Sequence, residues 1–298
     1  MSLFSGLSAF PITPADPQGH VDTDGLCQLL DRLKTAQVSS IGLLGSTGTY
    51  AYLTRSERQR AIAAAAECID GNIPLIVGVG TLRTDDAVAL AQDAQTSGAN
   101  ALLLAPVSYT PLTQEEVYQH FCAVAAATNL PICIYNNPGT THFQFSIELL
   151  ERLAKLSNIA AVKMPLPATG DVATNLQSLR DALPTDFAIG YSADWGCADA
   201  LLAGADTWYS VVGGTLPEQT MRLAKAAIDG KTAEAQKLNG QFAQLWALFQ
   251  EYGSLRVVYA ITKLTSLANA EPPRPILPMA DAAQQQLIEA LAALDVSV

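Results

Sequence analysis

Residues 101–135, ALLLAPVSYTPLTQEEVYQHFCAVAAATNLPICIY, contain the repeating unit from which the fold is predicted. The apolar runs at 101–105 and 132–135 have the length and composition of buried strands. Between them, TQEE at 113–116 has the pattern of a capping box and precedes a stretch long enough for a helix. A strand, a helix and a second strand in this order predict a βαβ unit with parallel strands.

The same unit recurs along most of the chain, where eight strand candidates alternate with eight helix candidates. This number of units within about 230 residues predicts the α/β class and a (β/α)8 TIM barrel, which typically needs ~250 residues. A doubly wound sheet is the alternative, because periodicity alone does not exclude it, but no GxGxxG follows the first strand. The predicted strands are 7–10, 40–44, 75–78, 101–105, 132–135, 160–163, 187–190 and 207–211. The predicted helices lie near 22–36, 54–69, 84–97, 113–127, 146–156, 172–183, 195–203 and 216–229.

From Lys231 onward the pattern changes to helices only, with a Pro-rich stretch at 272–278. We therefore predict two parts. Residues 1–230 form the barrel, with the active site at the C-terminal face of its strands, and residues 231–298 form a small helical appendage packed on it. The predicted helices of the appendage are 231–250, 254–266 and 282–294.

The chain is acidic, with 28 Asp and Glu residues against 17 Lys and Arg and a formal net charge of −11. This balance disfavours a surface that neutralises nucleic-acid phosphates or anionic lipids. No apolar run approaches the roughly 18 residues of a spanning helix, and the absence of any basic side chain before Arg32 argues against a signal peptide. We expect a soluble, cytoplasmic protein without nucleic-acid or membrane partners.

The cysteines and histidines have no spacing typical of a metal site. The sequence contains neither CxxC nor HExxH, and an odd number of cysteines does not close a complete set of disulfides. We predict reduced core thiols, no metal and no cofactor. These residues are Cys27, Cys68, Cys122, Cys133, Cys197, His20, His120 and His142.

Lys163 is the strongest candidate for chemistry, because it alone among the lysines ends an apolar strand. Catalytic groups of such barrels lie at the C-terminal ends of strands. An amine in an apolar barrel mouth loses the hydration of its charged form, and the neutral amine can attack a ketone to form a Schiff base. The alternative is a lysine that extends to solvent or pairs with a carboxylate.

Tyr135 ends the preceding predicted strand, so its side chain is expected beside Lys163. A phenol next to an imine nitrogen can transfer a proton, although a tyrosine that packs with its hydroxyl on a backbone carbonyl is the alternative. The GSTGT turn at 45–49 follows the second strand, and its backbone N–H groups and hydroxyls can hold a carboxylate or phosphate at the same face. A phosphosugar site at Gly213 and Gly214 is a further alternative, but no Arg or Lys follows there.

Together these residues resemble the dihydrodipicolinate synthase and N-acetylneuraminate lyase family, the pyruvate-handling class I aldolases built on a (β/α)8 barrel. The resemblance covers nearly the whole chain. Its motifs are FPITP at 10–14, GSTG at 45–48, Pro106 with Tyr109, YNNP at 135–138, Lys163, and PILPM at 275–279.

The resemblance implies a role for each matching residue. Lys163 would form the Schiff base, and Tyr135 would transfer protons with a relay through Thr47 or Ser46. Tyr109 would reach into the site of a neighbouring subunit, which implies a homodimer or homotetramer. The residues expected to bind substrate are Ser46, Thr47, Gly48, Thr140, Gly190 and Tyr209.

Three departures narrow the expected activity. Thr140 stands where the synthases carry an arginine that binds the carboxylate of the aldehyde substrate, and a hydroxyl does not replace a bidentate guanidinium. Thr49 replaces the usual glutamate, and the segment after Lys163 is about two residues longer than usual, with two prolines. We therefore expect aldol cleavage or condensation, or dehydration, of a 2-keto-3-deoxy sugar acid or another small 2-keto acid.

Three other activities remain as alternatives. Dihydrodipicolinate synthase proper would condense pyruvate with aspartate semialdehyde. A noncatalytic pyruvate-binding sensor would keep the lysine without turnover. A sugar-phosphate isomerase would need a base and a phosphate site that the sequence does not indicate.

Overall fold

The computed structural model describes residues 3–298, so Met1 and Ser2 of the predicted barrel segment 1–230 lie outside the described part. Eight parallel strands pair in sequence order, and the last pairs with the first to close a barrel. This confirms the predicted (β/α)8 fold, and each observed strand overlaps a predicted one. The strands are β1 (Gly6–Ala9), β2 (Ser40–Leu43), β3 (Leu75–Gly78), β4 (Ala101–Leu104), β5 (Ile132–Tyr135), β6 (Ile159–Met164), β7 (Ala188–Tyr191) and β8 (Thr207–Ser210).

Helices follow the strands and cover the outside of the barrel. The capping box at Thr113 is present, because its side chain accepts from the Glu116 N–H while the Glu116 carboxylate accepts from the Thr113 N–H. In barrel order the helices are α1 (Thr23–Thr35), α2 (Arg55–Ile69), α3 (Thr84–Thr96), α4 (Gln114–Ala126), α5 (Pro138–Thr141), α6 (Ile147–Leu153), α7 (Val172–Ala182), α8 (Cys197–Leu202) and α9 (Pro217–Ile228). No helix within residues 3–298 has both the length and the apolar composition needed to cross a bilayer.

The C-terminal region is helical, as predicted, but its first helix is interrupted. Phe242 separates α10 from α11, is 2% exposed, and stacks on Trp246 with ring centroids 4.8 Å apart. Phe242 and Trp246 are four residues apart, the spacing at which side chains meet on one face of a helix, and both rings are buried. The boundary between the two parts at residue 231 remains a prediction. The helices are α10 (Thr232–Gln241), α11 (Ala243–Tyr252), α12 (Ser254–Leu264) and α13 (Gln284–Ala292).

The barrel interior has its own core, separate from the layer between strands and helices. Phe10, Leu103, Cys133 and Tyr209 belong to this interior cluster and are almost fully buried. A β-carbon added at Gly78 would lie 1.8 Å from the carbonyl oxygen of Leu44, so glycine is required where the loop after β2 crosses β3. These contacts bring the β2 loop over the mouth of the barrel.

Candidate active site

Lys163 is buried at the end of β6, with 3% of its surface exposed. Its Nζ lies 3.9 Å from the ring centre of Phe10, 4.4 Å from that of Tyr135 and 5.7 Å from that of Tyr209. None of the ion pairs within residues 3–298 includes Lys163. Aromatic rings thus surround an amine at the end of a barrel strand, an arrangement in which a lysine can act as a nucleophile.

The sheet register places Tyr135 and Gly190 on either side of Lys163. Tyr135 pairs with Lys163 across β5 and β6, and Lys163 pairs with Gly190 across β6 and β7. The Tyr135 hydroxyl lies 3.3 Å from the Ser46 hydroxyl and accepts a hydrogen bond of 2.9 Å from the Asn137 side-chain amide. The structure therefore brings an amine, a phenol and a serine hydroxyl together at the end of the barrel.

The loop after β2 is held in an uncommon backbone conformation. Leu44 has φ of 55° and Thr49 has φ of 52°, both in the left-handed region that non-glycine residues rarely adopt. Such strain persists only where the surrounding structure imposes it. The loop is therefore a fixed part of the barrel mouth.

Within this loop, Ser46 is the residue that contacts Tyr135. Thr47 is 6% exposed and makes no hydrogen bond to the phenol. The relay predicted through Thr47 or Ser46 remains a prediction. No acceptor among residues 3–298 is bonded to the backbone N–H groups of Ser46 and Thr47. Gly48 is buried in the same turn, where an added β-carbon would lie 3.0 Å from the backbone nitrogen of Leu44. This turn has two N–H donors free for an anionic group.

Gly190 and Tyr209 are neighbours of Lys163. Gly190 pairs with Lys163 across β6 and β7, and the ring centre of Tyr209 lies 5.7 Å from the Lys163 Nζ. A β-carbon at Gly190 would lie 2.5 Å from the carbonyl oxygen of Thr207 and 2.6 Å from the Tyr209 ring. Tyr209 is fully buried, and its hydroxyl lies 3.3 Å from the Cys133 thiol. Burial raises the pKa of Tyr209 well above its ordinary value. Contact of either residue with substrate remains a prediction.

Thr140 and Tyr109 are both exposed. Thr140 is exposed, and its hydroxyl donates to the backbone carbonyl of Asn137 at 3.3 Å. Tyr109 is 96% exposed, and Leu82 is 65% exposed. A substrate contact for Thr140 remains a prediction. A place for Tyr109 in the site of a neighbouring subunit also remains a prediction.

Comparison with known proteins decides the family. Residues 3–294 match the family model described as the dihydrodipicolinate synthetase family. The chain belongs to this family. It is 32% identical to the 4-hydroxy-tetrahydrodipicolinate synthase of Stutzerimonas stutzeri over 268 residues, which is 90% of each protein. It is also 32% identical to that of Alcanivorax borkumensis over 281 residues, 94% of each.

Solved structures of the dihydrodipicolinate synthetase family have the same barrel. A dihydrodipicolinate synthase from Agrobacterium tumefaciens is 61% identical, with a TM-score of 0.97 and 98% of each chain covered. One from Acinetobacter baumannii, complexed with pyruvate, is 30% identical, with a TM-score of 0.90, and covers 99% of this chain and 100% of its own. This chain is therefore a class I aldolase-type enzyme, of the kind that carries its keto acid on a lysine without a separate cofactor.

The predicted site omitted two residues that contact Lys163 and Tyr135. Phe10 supplies the nearest ring to the Lys163 amine, and Asn137 donates to Tyr135. Both follow barrel strands, which is the signal that could have identified them. Phe10 reads as an ordinary core residue in sequence, and the side-chain direction of Asn137 is decided by the turn that contains it.

Asp194 is a further buried group near the mouth. One carboxylate oxygen accepts from the Trp208 indole N–H at 2.8 Å and the Ser210 hydroxyl at 2.7 Å. The other accepts from the backbone N–H groups of Val211 at 3.2 Å and Val212 at 3.4 Å. Burial raises the pKa of the Asp194 carboxyl, and the four hydrogen bonds act in the opposite direction. The carboxyl joins the loop after β7 to the end of β8.

Residues 3–298 contain no group of three or more His, Cys, Asp or Glu side chains that could hold a metal ion.

Proposed function

We propose that Lys163 forms an imine with pyruvate and that the derived enamine makes a carbon–carbon bond to an aldehyde. The observation that carries this proposal is the buried Lys163 amine, which belongs to no ion pair within residues 3–298. Its Nζ lies 4.4 Å from the ring centre of Tyr135, whose hydroxyl lies 3.3 Å from that of Ser46. The amine adds to the ketone carbon, water leaves, and the imine withdraws electrons from the adjacent methyl group. Loss of a methyl proton gives the enamine, whose carbon attacks the aldehyde, and water then releases the product from Lys163.

Tyr135 is proposed to transfer the protons of these steps. Its ring centre lies 4.4 Å from the Lys163 Nζ, and its hydroxyl lies 3.3 Å from the hydroxyl of Ser46. A positioned acid or base contributes about 10²–10⁴-fold to such a step. The neighbouring Ser46 hydroxyl supports a role as the next group in the proton path.

The carboxylate of pyruvate is proposed to bind the turn after β2. The N–H groups of Ser46 and Thr47 have no acceptor among residues 3–298, and the strained loop holds both groups in place. Backbone donors arranged in this way suit a carboxylate. Lys163 then receives the ketone carbon next to that carboxylate.

For the aldehyde, the comparisons favour aspartate semialdehyde. The curated relatives described above are named 4-hydroxy-tetrahydrodipicolinate synthase, which corresponds to the alternative activity of the sequence analysis. We therefore place condensation of pyruvate with aspartate semialdehyde first among the candidate reactions.

A second candidate reaction is favoured by one specific observation. Thr140 is exposed and bonded to the carbonyl of Asn137, so it supplies neither the charge nor the two parallel donors of an arginine. A substrate without a second carboxylate needs no such group. Aldol cleavage or dehydration of a 2-keto-3-deoxy sugar acid is therefore retained.

One experiment tests both reactions. Purified protein is incubated with pyruvate and aspartate semialdehyde, or separately with 2-keto-3-deoxy sugar acids and sialic acid. Product formation, pyruvate release and loss of water are measured separately. Borohydride added with pyruvate should attach a reduced three-carbon adduct to Lys163. An adduct without turnover on any substrate would favour the sensor alternative, and no adduct would contradict the proposal.

We further propose that the enzyme works as a homodimer or homotetramer, with Tyr109 in a neighbour's site. The exposure of Tyr109 and Leu82 supports an apolar contact with another copy. Light scattering of active protein tests this, since a fully active monomer would remove Tyr109 from the site. Five free cysteines, Cys27, Cys68, Cys122, Cys133 and Cys197, support a location in the reducing cytoplasm.

A further inference from the structure

Asn137 makes a contact with the Tyr135 hydroxyl that the function proposed above does not use. Its side-chain Nδ2 donates to the phenol oxygen at 2.9 Å, which is shorter than the 3.3 Å between that oxygen and Ser46. The bond joins residues two positions apart, at the point where β5 ends and α5 begins.

The side chain of Asn137 does not make the capping hydrogen bond that is common at its position. Asn137 is the N-cap of α5, where an asparagine commonly accepts a bond from a backbone N–H of the first turn, yet its side chain makes no such bond. Its backbone carbonyl instead accepts from the N–H groups of Thr140 and Thr141, each at 3.0 Å. Both threonine hydroxyls donate to the same carbonyl, at 3.3 and 3.0 Å. The main chain is thus fixed by four bonds, and the amide is directed at the phenol.

We propose that Asn137 is a positioning residue for Tyr135, an inference that rests on the proposed function. A phenol oxygen has one proton to donate and two lone pairs to accept with. An amide N–H on one lone pair directs the O–H away from Asn137 and toward Ser46, whose hydroxyl is 3.3 Å away. When Tyr135 gives up its proton, the negative charge develops against a donor already in place, which lowers the barrier.

The assay follows hydrogen exchange at the methyl group of pyruvate, so it needs no second substrate. In D2O, Lys163 and pyruvate give the imine and water, a base removes one methyl proton, and the enamine takes up a deuteron. Hydrolysis returns deuterated pyruvate and the free amine. Proton NMR measures the loss of the methyl signal, and borohydride trapping measures the fraction of Lys163 present as imine. The exchange rate divided by the imine fraction gives the rate of proton transfer per imine, separate from the amount of imine formed.

Asn137→Leu removes the donor at similar size, and Asn137→Asp keeps the shape but replaces the donor with an acceptor. Loss of one hydrogen bond of ordinary strength corresponds to a roughly five- to tenfold slower exchange per imine. We expect this for Asn137→Leu and a larger decrease for Asn137→Asp, with trapping at saturating pyruvate unchanged in both. Asn129→Leu, at an exposed asparagine, is the matched control and should match the parent protein.

Each outcome has one meaning. Unchanged exchange in both Asn137 variants would overturn the positioning role. Equal losses of trapping and exchange would also overturn it, because a general structural defect lowers both. If Asn137→Leu does not fold, Asn137→Asp alone decides, since its shape is that of asparagine. Absence of any Lys163 adduct in the parent protein would instead refute the proposed function itself.

Discussion

Replacing Lys163 with methionine should abolish imine formation while making the protein more stable. The side chains have similar length and both are unbranched, so Met fits the same space without the charge. Lys163 is 3% exposed, and none of the ion pairs within residues 3–298 includes it. The folded state therefore holds the amine away from water, and the contacts of its Nζ within residues 3–298 are with aromatic rings.

The expected magnitude follows from two opposing contributions. Burial of one ion costs several kcal/mol even after relaxation of its surroundings. The rings of Phe10 at 3.9 Å and Tyr135 at 4.4 Å offset this by about 0.5–2 kcal/mol each. We expect Lys163→Met to raise the free energy of unfolding by about 1–3 kcal/mol, which corresponds to roughly 2–10 °C in Tm.

The measurements are urea unfolding and calorimetry at one protein concentration, together with borohydride trapping on pyruvate. Lys237→Met, at an exposed lysine of α10, is the control and should change stability by less than about 0.5 kcal/mol. A Lys163→Met protein less stable than this control by more than about 1 kcal/mol would show that other interactions hold the amine. Persistent labelling in Lys163→Met would show that another lysine forms the imine.

Four further predictions concern the site and its support. Tyr135→Phe should lower kcat about 10²–10⁴-fold while trapping at Lys163 persists, as measured by steady-state kinetics and mass spectrometry. Thr140→Arg should lower KM for aspartate semialdehyde roughly ten- to hundredfold and leave KM for pyruvate unchanged; equal KM values for the semialdehyde would mean that another group holds its carboxylate. Asp194→Asn should lower the free energy of unfolding by about 3–5 kcal/mol in urea, because the amide cannot accept from all four donors. Burial lowers the pKa of His120 from 6.5, so the unfolded chain protonates first as pH falls; stability should decrease below about pH 6.5, and less so in His120→Gln.

Local sequence patterns were enough to predict the barrel and the adjacency of Lys163 and Tyr135. Short apolar runs, capped helices and their order imply parallel strands, because a chain with this periodicity buries its apolar groups in few other ways. Lys163 and Tyr135 could be placed together since residues that end neighbouring parallel strands must be adjacent. The break between α10 and α11 at Phe242 was not predicted from the helical pattern of residues 231–250.

The sequence by itself determined the fold class, the acidic surface and the lysine and tyrosine at the ends of β5 and β6. Tertiary structure decided the direction and surroundings of each side chain. It placed Ser46 rather than Thr47 on the phenol, directed Asn137 at Tyr135, and surrounded the amine with aromatic rings. The physical reason is that periodicity depends on backbone geometry shared by many sequences, whereas these contacts depend on loop conformations and on side chains distant along the chain.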